Sequence, residues 1–314
     1  MSRYEGTIEQ GLFHGQGKLI YENGEYYQGD FVRGKIHGNG ALYLASGDRY
    51  EGEWRDGKRH GRGIYTYHDG DQYDGEWKND ERHGSGIMIS RSTNGNIDEK
   101  YDGEWSEGKM HGKGVYYYSD GSSYDGFWLY GKMHGKGIFT YPNGNKYEGE
   151  FQNDMKEGYG TLQYTNGERY EGQWRLNFAN GTGTLTYSTG DKYIGDWKDG
   201  KKCGTGELLY KNGDKFSGSW SEDKASGNGI LEYSNGDIYD GEWLEDSRHG
   251  KGKFSSYSTG ITYEGHWKDG LKHGEGIMRL PTNDYFKGLW KNGQIDGPVK
   301  YHFNDLSPWK DPEY

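Results

Sequence analysis

Eight histidines, His14, His37, His60, His83, His111, His134, His249 and His273, each stand directly before a glycine at recurring intervals. Imidazoles in a ladder suggest metal binding, but a shared ion needs its ligands within about 2 Å. If successive copies lie two β-strands apart, neighbours are separated by about 10 Å. The pattern therefore predicts a loop-closing role for histidine, and no metal. Four consecutive copies replace the histidine with Glu157, Asn180, Cys203 and Ser226. Drift at a tolerant loop position accounts for this, with a docking segment over 147–239 as the alternative. Cys203 is the only cysteine, so no intrachain disulfide can form and a reducing compartment is expected.

Other candidate chemistry is equally repetitive. Gly-x-Gly pairs recur twelve times and open no helix, unlike phosphate-binding loops. Carboxylates such as Glu51, Glu53, Asp74, Glu76, Asp102 and Glu104 alternate with apolar residues along a solvated face. None is set apart in an apolar pocket, as acid–base catalysis requires. The basic residues Arg55, Lys58, Arg59 and Arg62 form a candidate anion-binding patch, with Lys35 and Arg82 nearby. No catalytic residue and no cofactor is expected.

What must position these residues is a repeat. Thirteen times an aromatic residue is followed two positions later by glycine, from Gly6 to Gly288, at an interval of 23 residues broken only by one of 28 and one of 24. Nine residues after each comes another glycine, from Gly15 to Gly297. A fixed period of this length marks a repeat array. The array fills 1–303, as 12 full repeats and a partial thirteenth, leaving a tail or cap at 304–314 and no room for a separate catalytic domain. Only 30% of the 314 residues are hydrophobic, with mean hydropathy −1.18, yet 16% are aromatic. Disordered chains lack such aromatic content. The apolar surface is concentrated in rings at fixed phase, enough for a thin, extended core.

In Tyr50-Glu51-Gly52-Glu53-Trp54 the character alternates with period two, the mark of a half-buried strand. Gly61, Gly63, Tyr65 and Tyr67 share one face of a second strand, and the residues between suit a hairpin loop. Pairing within the hairpin sets Gly52 opposite Gly63, Tyr50 opposite Tyr65 and Trp54 opposite Gly61. Pairing back to the preceding repeat sets Trp54 opposite Gly40 and Tyr50 opposite Leu44. An indole with glycine on both flanking strands can lie flat over them. Ten of the 11 tryptophans occupy this phase. The expected fold is all-β: an elongated single-layer antiparallel meander of about 13 hairpins, forming a twisted rod with an aromatic groove.

A net charge of −11 argues against nucleic acid and against polybasic recruitment to membranes. With no apolar signal or membrane-length run, the protein reads as cytosolic. The segment 90–100 widens one turn by five residues, as an adaptable loop or a partner-binding protrusion.

At these residues the chain resembles the MORN-repeat family (membrane occupation and recognition nexus), whose unit reads Tyr-Glu-Gly-Glu-Trp, a loop, then His-Gly-x-Gly and an aromatic-ending strand. Residues 50–67, 101–118 and 239–257 match it closely. The resemblance implies a β-hairpin scaffold that binds other proteins of a cytoskeletal assembly: a ciliary or flagellar axoneme of the spoke-head type, a basal body or a cortical ring. Groove candidates are Trp54, Trp77, Trp105, Trp128, Trp174, Trp197, Trp220 and Trp243. Self-association through the terminal repeats is expected at Phe286, Trp290 and Trp309. The alternative is a tether to anionic phospholipid through the basic patch.

Overall fold

The computed structural model describes residues 2–305, all strand and turn, with 27 strands and no helix. Two compact units divide the chain between residues 157 and 158. Within each unit, up to the last repeat, strands pair antiparallel with the next in sequence, so hairpin follows hairpin in an open meander. The last repeat is irregular. Its strand Tyr285–Lys291 pairs with the short strands Gln294–Ile295 and Lys300–His302.

The third repeat explains the unit. Strand Arg49–Arg55 is joined to strand Lys58–Thr66 by a two-residue turn. Asp56 and Gly57 both have positive φ, 51° and 85°, the type I′ geometry that matches strand twist. The hairpin loop is therefore shorter than the six residues read from the sequence. The extra residues are taken up in the strands, where Arg55 pairs with Lys58 and Trp54 with Arg59. A bulge then interrupts the ladder before Gly52 meets Gly63. Gly61 sits in that bulge at φ 58°, a left-handed conformation costly to a residue with a Cβ.

This bulge corrects the expected register. Gly52–Gly63 and Tyr50–Tyr65 pair as read, but Trp54 faces Arg59, not Gly61. Across to the preceding repeat, Trp54 faces Gly38 and Tyr50 faces Leu42, two residues from the expected partners. Gly52 lies between Gly40 and Gly63, and Gly63 pairs on with Gly75, so the glycine of each first strand alternates with the second glycine of each Gly-x-Gly pair in a ladder through successive strands. Sequence alternation cannot detect this bulge: Glu53 alone lies opposite the three residues His60 to Arg62, and the two extra residues restore the facing of side chains beyond it.

The insertion at 90–100 lengthens a hairpin instead of widening a loop. Strands Glu81–Arg91 and Ile97–Ser106 gain the rungs Ser90–Glu99 and Arg91–Ile97. The turn itself, Ser92 to Asn96, keeps the hydrogen bonds of its counterparts elsewhere.

Candidate functional site

The face that carries the aromatic residues is built from tyrosine upward. Tyr50 lies flat along its own strand over the paired glycines. A Cβ at Gly63 would meet its hydroxyl oxygen at 2.3 Å, and one at Gly52 would meet it at 2.7 Å. The hydroxyl donates to the Glu53 carbonyl at 2.9 Å. The ring is fully buried, and burial raises the phenol well above its ordinary range. Trp54 stands edge-on to it, centroids 5.0 Å apart at 89°. The next repeat's Trp77 closes the other side at 5.3 Å. Each indole then donates Nε1–H across the sheet, Trp54 to the Gly40 carbonyl at 3.1 Å and Trp77 to that of Gly63 at 3.0 Å. Tyrosine thus takes the glycine seat that sequence reading gave to tryptophan.

Such packing decides what the candidate groove tryptophans can touch. All ten within the repeats are between 4 and 9% exposed, so Trp54, Trp77, Trp105, Trp128, Trp174, Trp197, Trp220 and Trp243 form the floor. Above them lies a second, half-exposed row from the ends of the second strands. It includes Tyr67, Tyr118 and Tyr141 in the first unit, and Tyr164, Tyr187 and Tyr210 in the second. Tyr67 and Tyr118 pack at a tilt against Tyr65 (4.6 Å, 54°) and Tyr116 (4.4 Å, 33°). Their signal was present in the sequence, as a Tyr two residues beyond the Tyr65 position in most repeats. Two cavities of about 340 Å³ open on this face. One is lined by Arg82, Met88, Tyr101, Trp105 and Tyr116, the other by Lys202, Phe216, Trp220, Leu231 and Trp243.

The basic residues do not form one patch. Arg59 turns onto the aromatic face, its guanidinium 4.3 Å from the Trp77 ring and its Nη2 donating to the Asp80 carbonyl at 2.9 Å. Its side chain is 24% exposed. Arg55 and Lys58 flank the hairpin turn in solvent, while Arg62 stands on the opposite sheet face from Arg59. Counterparts repeat the Arg59 arrangement: Arg82 over Trp105 at 4.3 Å, Lys202 over Trp220 at 4.6 Å, Arg248 over Trp267 at 4.5 Å.

Half of the acidic row is structural. The Glu53 carboxylate accepts the backbone N–H of Arg62 at 3.0 Å, satisfying a donor left by the bulge. Asp30, Glu76, Glu104, Asp196 and Glu242 do the same for the equivalent residue, and Gln173 does it without charge. Turn aspartates tie successive repeats together. Asp191 accepts the Lys211 N–H and Asp214 the Ser234 N–H, each at 2.8 Å, and those bonds lower both carboxyls.

His37 Nδ1 accepts the backbone N–H of Asp56 in the following repeat at 3.4 Å. His60, His111, His134, His249 and His273 bury Nδ1 without a hydrogen-bond partner. Among the described residues no three His, Cys, Asp or Glu converge to hold a metal. Cys203 is half-buried, and burial raises its thiol. At the C-terminal end Trp290 is buried, with its Nε1 unpartnered. Phe286 stacks beside it at 6.2 Å instead of edge-on. Trp309 lies outside the described residues.

Glycine-seated tyrosines, edge-on tryptophans and I′ hairpins repeating at one period define an array of β-hairpin repeats. The MORN repeat model matches thirteen consecutive segments from residue 4 to residue 307, and the chain belongs to the MORN-repeat family. MORN repeats point to a repeat protein that binds protein or membrane partners. No curated protein matches by sequence. Among solved structures, the chain is similar to the TCP10 domain of Danio rerio CPAP in complex with a peptide of STIL. That match has 11% identity and a TM-score of 0.35, covering 77% of this chain and 94% of that one. It is also similar to the TCP domain of Drosophila melanogaster SAS-4 with a proline-rich motif of Ana2, at 18% identity and a TM-score of 0.29, covering 54% and 85%. Likeness at these scores carries no argument about function.

Proposed function

We propose that this chain is a non-catalytic scaffold that binds protein partners along its aromatic face and spaces or cross-links them in a cytoskeletal assembly. A ciliary or flagellar axoneme is the favoured setting. One observation carries the reading: a half-exposed tyrosine row, Tyr67, Tyr118 and Tyr141 in one unit and Tyr164, Tyr187 and Tyr210 in the other, over a fully packed floor. Tyrosines with an apolar body and a polar tip are the side chains that anchor protein interfaces. The tryptophans of the floor are already buried within the chain, which lowers the cost of ordering a site on binding. The lipid-tether alternative has less support, since Arg59 is committed to Trp77 and Asp80.

The test is localisation of a tagged full chain in its native cell, followed by detergent and salt extraction. Retention in the detergent-resistant fraction, lost when Tyr118 and Tyr141 are changed to Ser in a folded variant, is the expected result. Complete release by detergent from a membrane fraction would overturn it.

A further inference from the structure

Within the second unit, one repeat has the surroundings of an internal cation but no cation of its own. In the Arg59 arrangement the guanidinium lies 4.3 Å from Trp77, and Asp80 holds it twice. The Asp80 carboxylate accepts both the Arg59 backbone N–H (2.9 Å) and Nε (3.3 Å), while its carbonyl accepts Nη2 (2.9 Å). The tenth repeat places Ala225 at the Arg59 position, and the eleventh places Trp243 at that of Trp77 and Asp246 at that of Asp80. The backbone matches: Ala225 N–H donates to Asp246 Oδ1 at 2.8 Å, as Arg59 N–H does to Asp80. What differs is the missing side chain. A cavity of about 340 Å³ opens there, lined by Phe216, Leu231, Trp243, Asp223 and Asp246, with Lys202 as the cation in its wall. Trp243 is accordingly the most exposed array tryptophan, at 9%.

Neighbouring cations do not fill the space. Lys202 lies over Trp220 and donates to the Tyr187 hydroxyl, Lys224 pairs with Glu245, and Arg248 lies over Trp267. Ala179 also lacks a long side chain before Trp197, but the matching turn residue there is Gly200, so no carboxylate stands beside the indole.

We propose that the cavity over Trp243 is a receptor for an arginine side chain presented by a protein partner, which lies on the indole and forks onto Asp246 as Arg59 does onto Trp77 and Asp80 within the chain. Arginine fits because its planar fork can reach a carboxylate and a carbonyl together while stacking on a ring. The inference rests on the scaffold reading and gives it a contact point.

The test titrates the folded full chain with acetyl-Gly-Arg-Gly-amide and follows the indole N–H resonances, with Trp243 assigned through Trp243→Phe. A saturable shift of Trp243 is expected, absent with the citrulline peptide of equal shape. Asp246→Asn is expected to weaken binding about tenfold, the worth of one charge-assisted hydrogen bond. Ala225→Arg is expected to raise Tm and abolish the response, by supplying the missing side chain. An unmoved Trp243, an equal response to citrulline, or undiminished binding by folded Ala225→Arg would overturn the receptor. Tighter binding of free arginine than of the capped peptide would overturn the protein source. A failed titration with cytoskeletal retention intact sinks the receptor alone; detergent release with the titration intact sinks the scaffold reading alone.

Discussion

The hydroxyl of Tyr50 occupies the space where a side chain on Gly63 would begin, 2.3 Å from the Cβ position. The ring cannot retreat, because Trp54 and Trp77 hold its two sides at 5.0 and 5.3 Å. Gly63→Ala is therefore expected to destabilise the chain by about 1–3 kcal/mol, the range for overpacking a close-packed site. Gly57→Ala is the informative control, since nothing lies within 4 Å of it and only its φ of 85° is strained. That strain costs about 1–2 kcal/mol. The two variants separate on adding Tyr50→Ala, which should relieve Gly63→Ala and leave Gly57→Ala unchanged. Chemical denaturation of the unsubstituted chain, the three single variants and the two double variants measures this directly.

Much of this was legible before any coordinates, and the exceptions have physical causes. Period-two alternation placed Tyr50, Gly52 and Trp54 on one face, and the Gly52–Gly63 and Tyr50–Tyr65 pairs were read correctly. Trp54 meets Arg59 and not Gly61 because a two-residue bulge leaves no trace in alternation, and Gly38 and not Gly40 because alternation does not fix where the turn between repeats is centred. The direction of Arg59 was hidden for a related reason: a basic residue near a turn reads as solvated until the strand is known to run past it. The structural use of Glu53 was also hidden, because an N–H orphaned by a bulge is invisible in sequence.

Glu53 separates a structural carboxylate from one kept for a partner. Because Gln173 makes the same bond to Thr182 N–H at 2.9 Å, Glu53→Gln should keep the fold and the slow amide exchange of Arg62. Glu53→Ala should lose about 1 kcal/mol and speed that exchange. Equal exchange in the two variants would sink the capping role.

Removing the internal cation tests the opposite side of the sheet. Arg59→Ala loses its stacking on Trp77 and leaves Asp80 without its Nε partner. A loss of about 1–2 kcal/mol is expected, and Arg59→Lys should recover only part of it. Arg55→Gln with Lys58→Gln should leave stability within about 0.5 kcal/mol, as exposed positions do. None of these changes should create or remove sedimentation with phosphoinositide vesicles. Salt-sensitive binding lost in the Arg55/Lys58 variant would instead promote the lipid tether.

Alkaline pH should unfold the array through its tyrosines. Burial raises the phenols of Tyr27, Tyr73, Tyr124, Tyr147, Tyr193 and Tyr239 far above 10, and that of Tyr263 to about 12. An acid whose folded value is raised holds its proton longer when folded, so the unfolded chain binds fewer protons above pH ~10. Stability from these rings is complete below that pH and falls as pH rises from 10 through the folded values. In an ultraviolet titration, tyrosinate absorbance from the seated rings should appear together with loss of the β-sheet circular dichroism signal. Tyr263→Phe, which mimics the natural Phe216, should delay that transition because one proton fewer is released. Seated rings that ionise while the sheet signal persists would show that the glycine seat is open to water.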